Sequence, residues 1–114
     1  MLADNVFLKI LDGTIPARIA FQDDLCLDFH DIHPQAPVHI LIIPRKVIRT
    51  HAELRQEDTS LIGHMNLVAG QLARDLGLDQ GYRIVINCET DGGQTVPHLH
   101  MHLLGGRALG WPPG

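Results

Sequence analysis

Cysteine and aromatic residues are scarce: two cysteines, one tryptophan, one tyrosine and three phenylalanines among 114 residues. Cys26 and Cys88 stand far apart, each in an apolar, strand-like stretch. That spacing argues against a disulfide framework or a zinc knuckle and fits reduced core thiols of a cytoplasmic protein. Basic charge is short as well, nine Lys and Arg against thirteen Asp and Glu, for a net charge of -4. The one basic cluster is Arg45-Lys46, too little for a face that grips nucleic acid. No apolar run approaches the length of a membrane span. Met1 to Lys9 holds too short an apolar stretch for a signal peptide and carries an early acid. There are no internal repeats, linkers or low-complexity tracts. A hydrophobic fraction of 45% over this length predicts one globular domain spanning residues 1–114.

The apolar pattern predicts a short helix over Asn5 to Leu11, stopped at Asp12-Gly13. Strands follow at Arg18 to Gln22 and Leu25 to Asp31, with Asp23-Asp24 as a hairpin turn. His33 to Pro37 holds two prolines and must be a loop, because proline removes ladder donors. Val38 to Ile43 reads as a buried strand ended by Pro44. A long helix starts at an Asp58 or Thr59 cap, carries Leu61, Met65, Val68, Leu72 and Leu76 on one face, and closes at Gly77. Tyr82 to Asn87 is the next strand, and Asp91 to Thr95 a flexible glycine turn. Strands joined by hairpin-length links and interrupted by two helices predict an α+β fold with an antiparallel sheet.

The most informative segment is Pro97-His98-Leu99-His100-Met101-His102-Leu103-Leu104, ended by Gly105-Gly106. In a strand, His98, His100 and His102 share one face while Leu99, Met101 and Leu103 share the other. Imidazole in three successive polar slots is not ordinary strand composition. Zinc is one possible use, but the outer two positions lie about 13 Å apart, too far to share one ion. Two of them joined by an outside ligand such as His39 would still be feasible. Nucleophilic attack on phosphorus is the second use. It needs one neutral ring nitrogen exposed and the other ring N–H held by an acceptor. Crowding several imidazoles disfavours charging all of them, which helps keep one neutral. The preceding turn, Asp91-Gly92-Gly93-Gln94-Thr95, offers a backbone anion nest, with Gln94 and Thr95 as side-chain donors. A surface strand whose histidines do nothing is the bland alternative.

The run His98-Leu99-His100-Met101-His102-Leu103-Leu104 resembles the histidine-triad signature, His-φ-His-φ-His-φ-φ with φ apolar. The wider resemblance is to the histidine triad nucleotide-binding branch of that superfamily. It is carried by Phe29-His30-Asp31-Ile32, Pro34-Gln35-Ala36-Pro37, His39, Asp91-Gly92-Gly93-Gln94, Leu104-Gly105-Gly106-Arg107 and Trp111-Pro112-Pro113-Gly114. It implies a five-stranded antiparallel sheet with two helices, joined into ten strands in a homodimer. It also implies hydrolysis of purine nucleoside phosphoramidates to a nucleoside monophosphate (AMP or GMP) and an amine, through a nucleotidyl-histidine. No cofactor or metal is expected. A dinucleoside polyphosphate hydrolase and a non-catalytic nucleotide-binding scaffold are the alternatives. His102, where uridylyltransferase-type relatives carry glutamine, argues against that group.

By position, the resemblance implies that His100 is the nucleophile and that His98 assists at the phosphate and leaving group. His102 and His39 would hold the orienting hydrogen bonds, and Asp31 would accept from the ribose hydroxyls. Phe7, Ile10, Phe29, His30, Ile32 and Leu41 would wall the base; Asn87, Gly93, Gln94 and Thr95 would face the phosphate or leaving group. Trp111 is expected near the mouth of the site, with a role in substrate choice. Each has a plainer reading. The apolar residues could be core, Asp31 an Asx turn, Asn87 a turn residue, and Trp111 packing against a partner subunit. Thr95 stands where this branch often has serine, so a change in leaving-group preference or rate is expected. His33, His51 and His64 match no motif and are expected to be exposed.

Overall fold

A computed structural model describes residues 5–114. Helix α1 runs over Val6–Leu11 and is capped by Asn5, whose side-chain oxygen accepts the Leu8 N–H at 3.2 Å. Strands β1 (Ile19–Gln22) and β2 (Cys26–His30) are joined by a turn built on Asp23. Its carboxylate accepts the N–H groups of Leu25 and Cys26 at 2.9 Å each. Strand β3 (Val38–Pro44) leads through two short 3-10 turns, His51–Glu53 and Gln56–Asp58, into α2 (Thr59–Asp75). The chain continues through β4 (Tyr82–Ile86), a single turn of helix α3 (Glu89–Gly92), and β5 (Met101–Gly105). Each predicted strand and both predicted helices are present; the 3-10 turns and α3 had no periodicity long enough to announce them.

The five strands form one antiparallel sheet in the order β1-β2-β3-β5-β4. The last strand in sequence is thus inserted between β3 and β4. One face packs on α2 through Ile40, Ile42, Met101 and Leu103 against Met65, Val68, Ala69 and Leu72. Burying each large apolar side chain contributes about 1.5–3 kcal/mol, so this face supplies most of the stability. Leu76 is the exception among the predicted helix-face residues. It is the C-cap, past the last turn, and is 42% exposed. The other face carries a smaller cluster of Phe7, Leu27, Phe29, Leu41 and Ile43, roofed by α1. Among the described residues no helix is long and apolar enough to cross a membrane.

The histidine strand is shorter than its pattern suggests, beginning at Met101 rather than at the first histidine. Met101 pairs with Ile42 of β3 and Ile86 of β4. Beyond that point β3 ends at Pro44, which has no N–H to donate. The chain therefore leaves the ladder, and the Leu99 N–H bonds the Ile48 carbonyl at 2.7 Å instead. Burial of the apolar residues nevertheless persists, with Met101 and Leu103 in the cluster against α2 and Leu99 buried as well. His33 and His51 are exposed as expected, but His64 is half-buried and lies 2.6 Å from the Asp23 carboxylate.

Candidate active site

The departure from the ladder at Pro97 to His100 folds the first two histidines back under α1. His98 is completely buried, and both of its ring nitrogens are engaged. Its Nε2–H donates to the Pro44 carbonyl at 2.8 Å, and its Nδ1 accepts from the Asn5 amide at 2.9 Å. The same Asn5 caps α1 through its side-chain oxygen, which fixes which end of the amide faces the ring. His100 donates Nδ1–H to the His98 carbonyl at 2.7 Å. A carbonyl can only accept, so a neutral His100 carries its lone pair on Nε2. Phe7 packs edge-on against that ring, with centroids 5.0 Å apart.

A second chain of fixed partners sets His102. The Gln35 backbone N–H donates to His39 Nδ1 at 3.0 Å, which leaves the His39 proton on Nε2. That N–H faces His102 Nδ1 at 2.9 Å, so a neutral His102 must carry its own proton on Nε2. His102 Nε2 is buried and has no hydrogen-bond partner. The rings of His100 and His102 lie 5.0 Å apart. One therefore presents an acceptor nitrogen and its neighbour an unused donor.

Burial lowers the pKa of His39, His98 and His100 below the ordinary imidazole value. His102 is pushed furthest, to about 4, by burial first and then by the nearness of His100 and His39. The nearby Asp31 carboxylate opposes that shift but does not reverse it. The hydrogen bonds accepted by His98, His39 and His102 require those three rings to be neutral, and burial favours the neutral form of His100 as well.

His100 and His102 border a pocket of about 270 Å³ between α1 and the sheet. Ten of the residues expected from sequence line it: Phe7, Ile10, Phe29, His30, Asp31, Ile32, Leu41, Thr95, His100 and His102. Residues 12–109 match the HIT domain model. The chain belongs to the HIT domain family. It is 54% identical, over the whole length of both chains, to an HIT-like protein of Synechococcus elongatus. A HIT family hydrolase of Legionella pneumophila superposes with a TM-score of 0.95 at 47% identity, covering 97% of this chain and 100% of that one. A histidine triad nucleotide-binding protein of Candida albicans superposes at 0.81 with 28% identity, covering 96% and 83%.

Within this HIT domain several expected contacts fall elsewhere. His98 lies outside the pocket lining, and both of its ring nitrogens are bonded within the protein. Gln94 is also buried and fully used: its oxygen accepts from Thr50 and the Glu89 N–H, and its amide donates to the Arg49 and Val96 carbonyls. Two N–H groups of the expected anion nest are taken up in the same way. The Gly93 and Gln94 N–H groups close α3 onto Thr90 and Glu89, with Gly93 in the left-handed region at φ +82°. Asn87 lies behind this turn, against Gly92, and does not line the pocket. Trp111 is 83% exposed and outside it too. Asp31 serves two ends: one oxygen accepts the His33 N–H at 2.7 Å as an Asx turn, the other lies 3.5 Å from His39 Nε2.

The pocket also includes Val6, Ile15, Pro16, Ala17 and Val96, which sequence reasoning passed over. Ile15-Pro16-Ala17 had a readable signal, an apolar, proline-stiffened entry to a strand. Asp31, His39 and His102 bring possible metal-ligand atoms within 4.8 Å of one another. A cation there would have to break the His39–His102 hydrogen bond that sets the donor.

Proposed function

We propose that this HIT domain is a hydrolase of the histidine triad nucleotide-binding branch, acting on purine nucleoside phosphoramidates. One observation carries the reading: His100, with its lone pair on Nε2, and His102, with a buried, unpartnered Nε2–H, line the same pocket. In the first step His100 Nε2 attacks phosphorus and the P–N bond breaks; the departing amine takes its proton from solvent, while the His102 Nε2–H donates a hydrogen bond to the phosphoryl oxygen. The nucleotidyl-imidazole keeps its Nδ1–H on the His98 carbonyl, which stabilises the positive charge that develops on the ring. Water then attacks phosphorus, the N–P bond breaks and the water's proton passes to solvent, returning neutral His100 and releasing the nucleoside monophosphate. Phe7, Ile10, Phe29 and Leu41 form the apolar wall for the base, with Asp31 as the polar acceptor for ribose. The hydrolase description of the Legionella relative and the nucleotide-binding name of the Candida relative agree with this reading.

We place the protein in the cytoplasm, where its two free cysteines stay reduced. We also propose a homodimer through the open edge of β4, beside which Trp111 is exposed and Arg83 bonds the Gly110 carbonyl at 2.6 Å. The test of the activity is turnover of adenosine 5′-phosphoramidate by the wild type and His100→Ala. The wild type should release AMP through a trappable nucleotidyl-enzyme, and the variant should do neither. Equal rates would overturn the covalent route, and tight AMP binding without turnover would favour a binding protein.

A further inference from the structure

The α2 face of the sheet carries a second cluster of reactive side chains that the pocket does not use. Asp23 in the β1–β2 turn, Cys26 at the start of β2 and His64 on α2 converge there. A carboxylate oxygen, Sγ and a ring nitrogen lie within 4.8 Å of one another. Beside them on β2 stands Asp28, whose side chain is completely buried. Neither Asp28 oxygen has a hydrogen-bond partner. It lies next to the Cys26 thiol without the geometry of a hydrogen bond. A buried carboxylate left unpaired is costly, and native proteins normally resolve it with a partner or a cation.

We propose that Asp23, Cys26, His64 and Asp28 form a binding site for a zinc-type divalent cation. Sulfur and imidazole together select zinc and its thiophilic neighbours over magnesium or calcium, and four donors of this kind suit a tetrahedral ion. Tetrahedral edges in such a site are about 3.5 Å, so His64 Nε2 and the Asp23 carboxylate, 2.6 Å apart, need to open by roughly one ångström. Asp23 and His64 can make that adjustment, because their side chains are 29% and 32% exposed, and they also give the ion its route from solvent. On binding, the Cys26 thiol releases its proton to solvent. His64 moves its ring proton from Nε2 to Nδ1, exchanging its hydrogen bond to Asp23 for a bond to the metal. The ion would tie the β1–β2 turn and β2 to α2. It sits on the opposite face from the pocket, since Leu27 and Phe29, which alternate with Cys26 and Asp28, pack under α1.

The test is titration of chelator-treated protein with Co²⁺, followed spectroscopically and then by competition with Zn²⁺. The wild type and Cys88→Ser should both show a thiolate-to-cobalt charge-transfer band saturating at one equivalent. Cys26→Ser should lose that band. His64→Gln and Asp28→Asn should weaken binding at least tenfold. His64→Gln should leave phosphoramidate turnover unchanged, so failure here is separable from failure of the proposed activity. Absence of the thiolate band overturns the site, and cobalt bound without that band assigns the metal to the pocket histidines instead. Unchanged affinity in both His64→Gln and Asp28→Asn overturns it as well.

Discussion

Replacing His98 and His102 separately by alanine should divide stability from catalysis. His98 is fully buried and ties Asn5 to the Pro44 carbonyl. Its loss leaves a cavity and strands both partners. Each abandoned buried polar group costs about 1–3 kcal/mol, and Asn5 can turn partly towards water, so about 2–4 kcal/mol is expected. His102→Ala breaks one hydrogen bond to His39 but also removes an unpartnered N–H, so its stability should change by only about 1 kcal/mol. Turnover should respond in the opposite order. Removing one preorganised donor at a reacting phosphate lowers kcat by about 10²–10³. His98→Ala should retain more activity than His102→Ala once measured under conditions where both are folded. Urea unfolding followed by circular dichroism gives the first quantity, and single-turnover release of AMP gives the second. The reasoning is refuted if His102→Ala keeps wild-type kcat, or if His98→Ala loses its activity at unchanged stability.

The low pKa of His102 makes the fold acid-sensitive. The native state resists protonation there, so the stability it contributes is present above about pH 6.5 and is lost as pH falls through about 4. The total is about 3 kcal/mol, and His102→Asn should flatten the unfolding free energy across that window. Gln94→Ala should cost about 3–5 kcal/mol in urea unfolding by breaking four hydrogen bonds of a buried side chain. It should leave KM nearly unchanged when assayed folded, whereas a large rise in KM at intact stability would restore Gln94 as a phosphate contact. Phe7→Ala should cost about 3–5 kcal/mol and raise KM together, because the ring packs on Phe29 and His100 at once. A variant that loses neither would show that α1 does not hold the pocket closed.

Local chemistry carried much of the fold into view. The stops at Gly13, Pro44 and Gly77 and the helical spacing from Leu61 to Leu72 locate elements without reference to the rest of the chain. Where expectation and structure part, the cause is a distant partner. Pro44 ends the ladder for the histidine strand from 54 positions away. Gln94, polar and next to glycines, looks like a ligand contact until Thr50 and the Arg49 carbonyl take up its amide. His64 looks idle until the sheet order brings the Asp23 turn against α2.

By itself the sequence determined that three imidazoles alternate with buried apolar residues, because side-chain direction in an extended chain depends only on position. It could not determine which ring nitrogen is free. A histidine's tautomer depends on what its other nitrogen touches. Those contacts are the Pro44 and His98 carbonyls for two rings, and the relay from Gln35 through His39 for the third. Only the folded sheet, with β5 inserted beside β3, brings His39 and His102 together and sets one acceptor and one donor on two rings that line the same pocket.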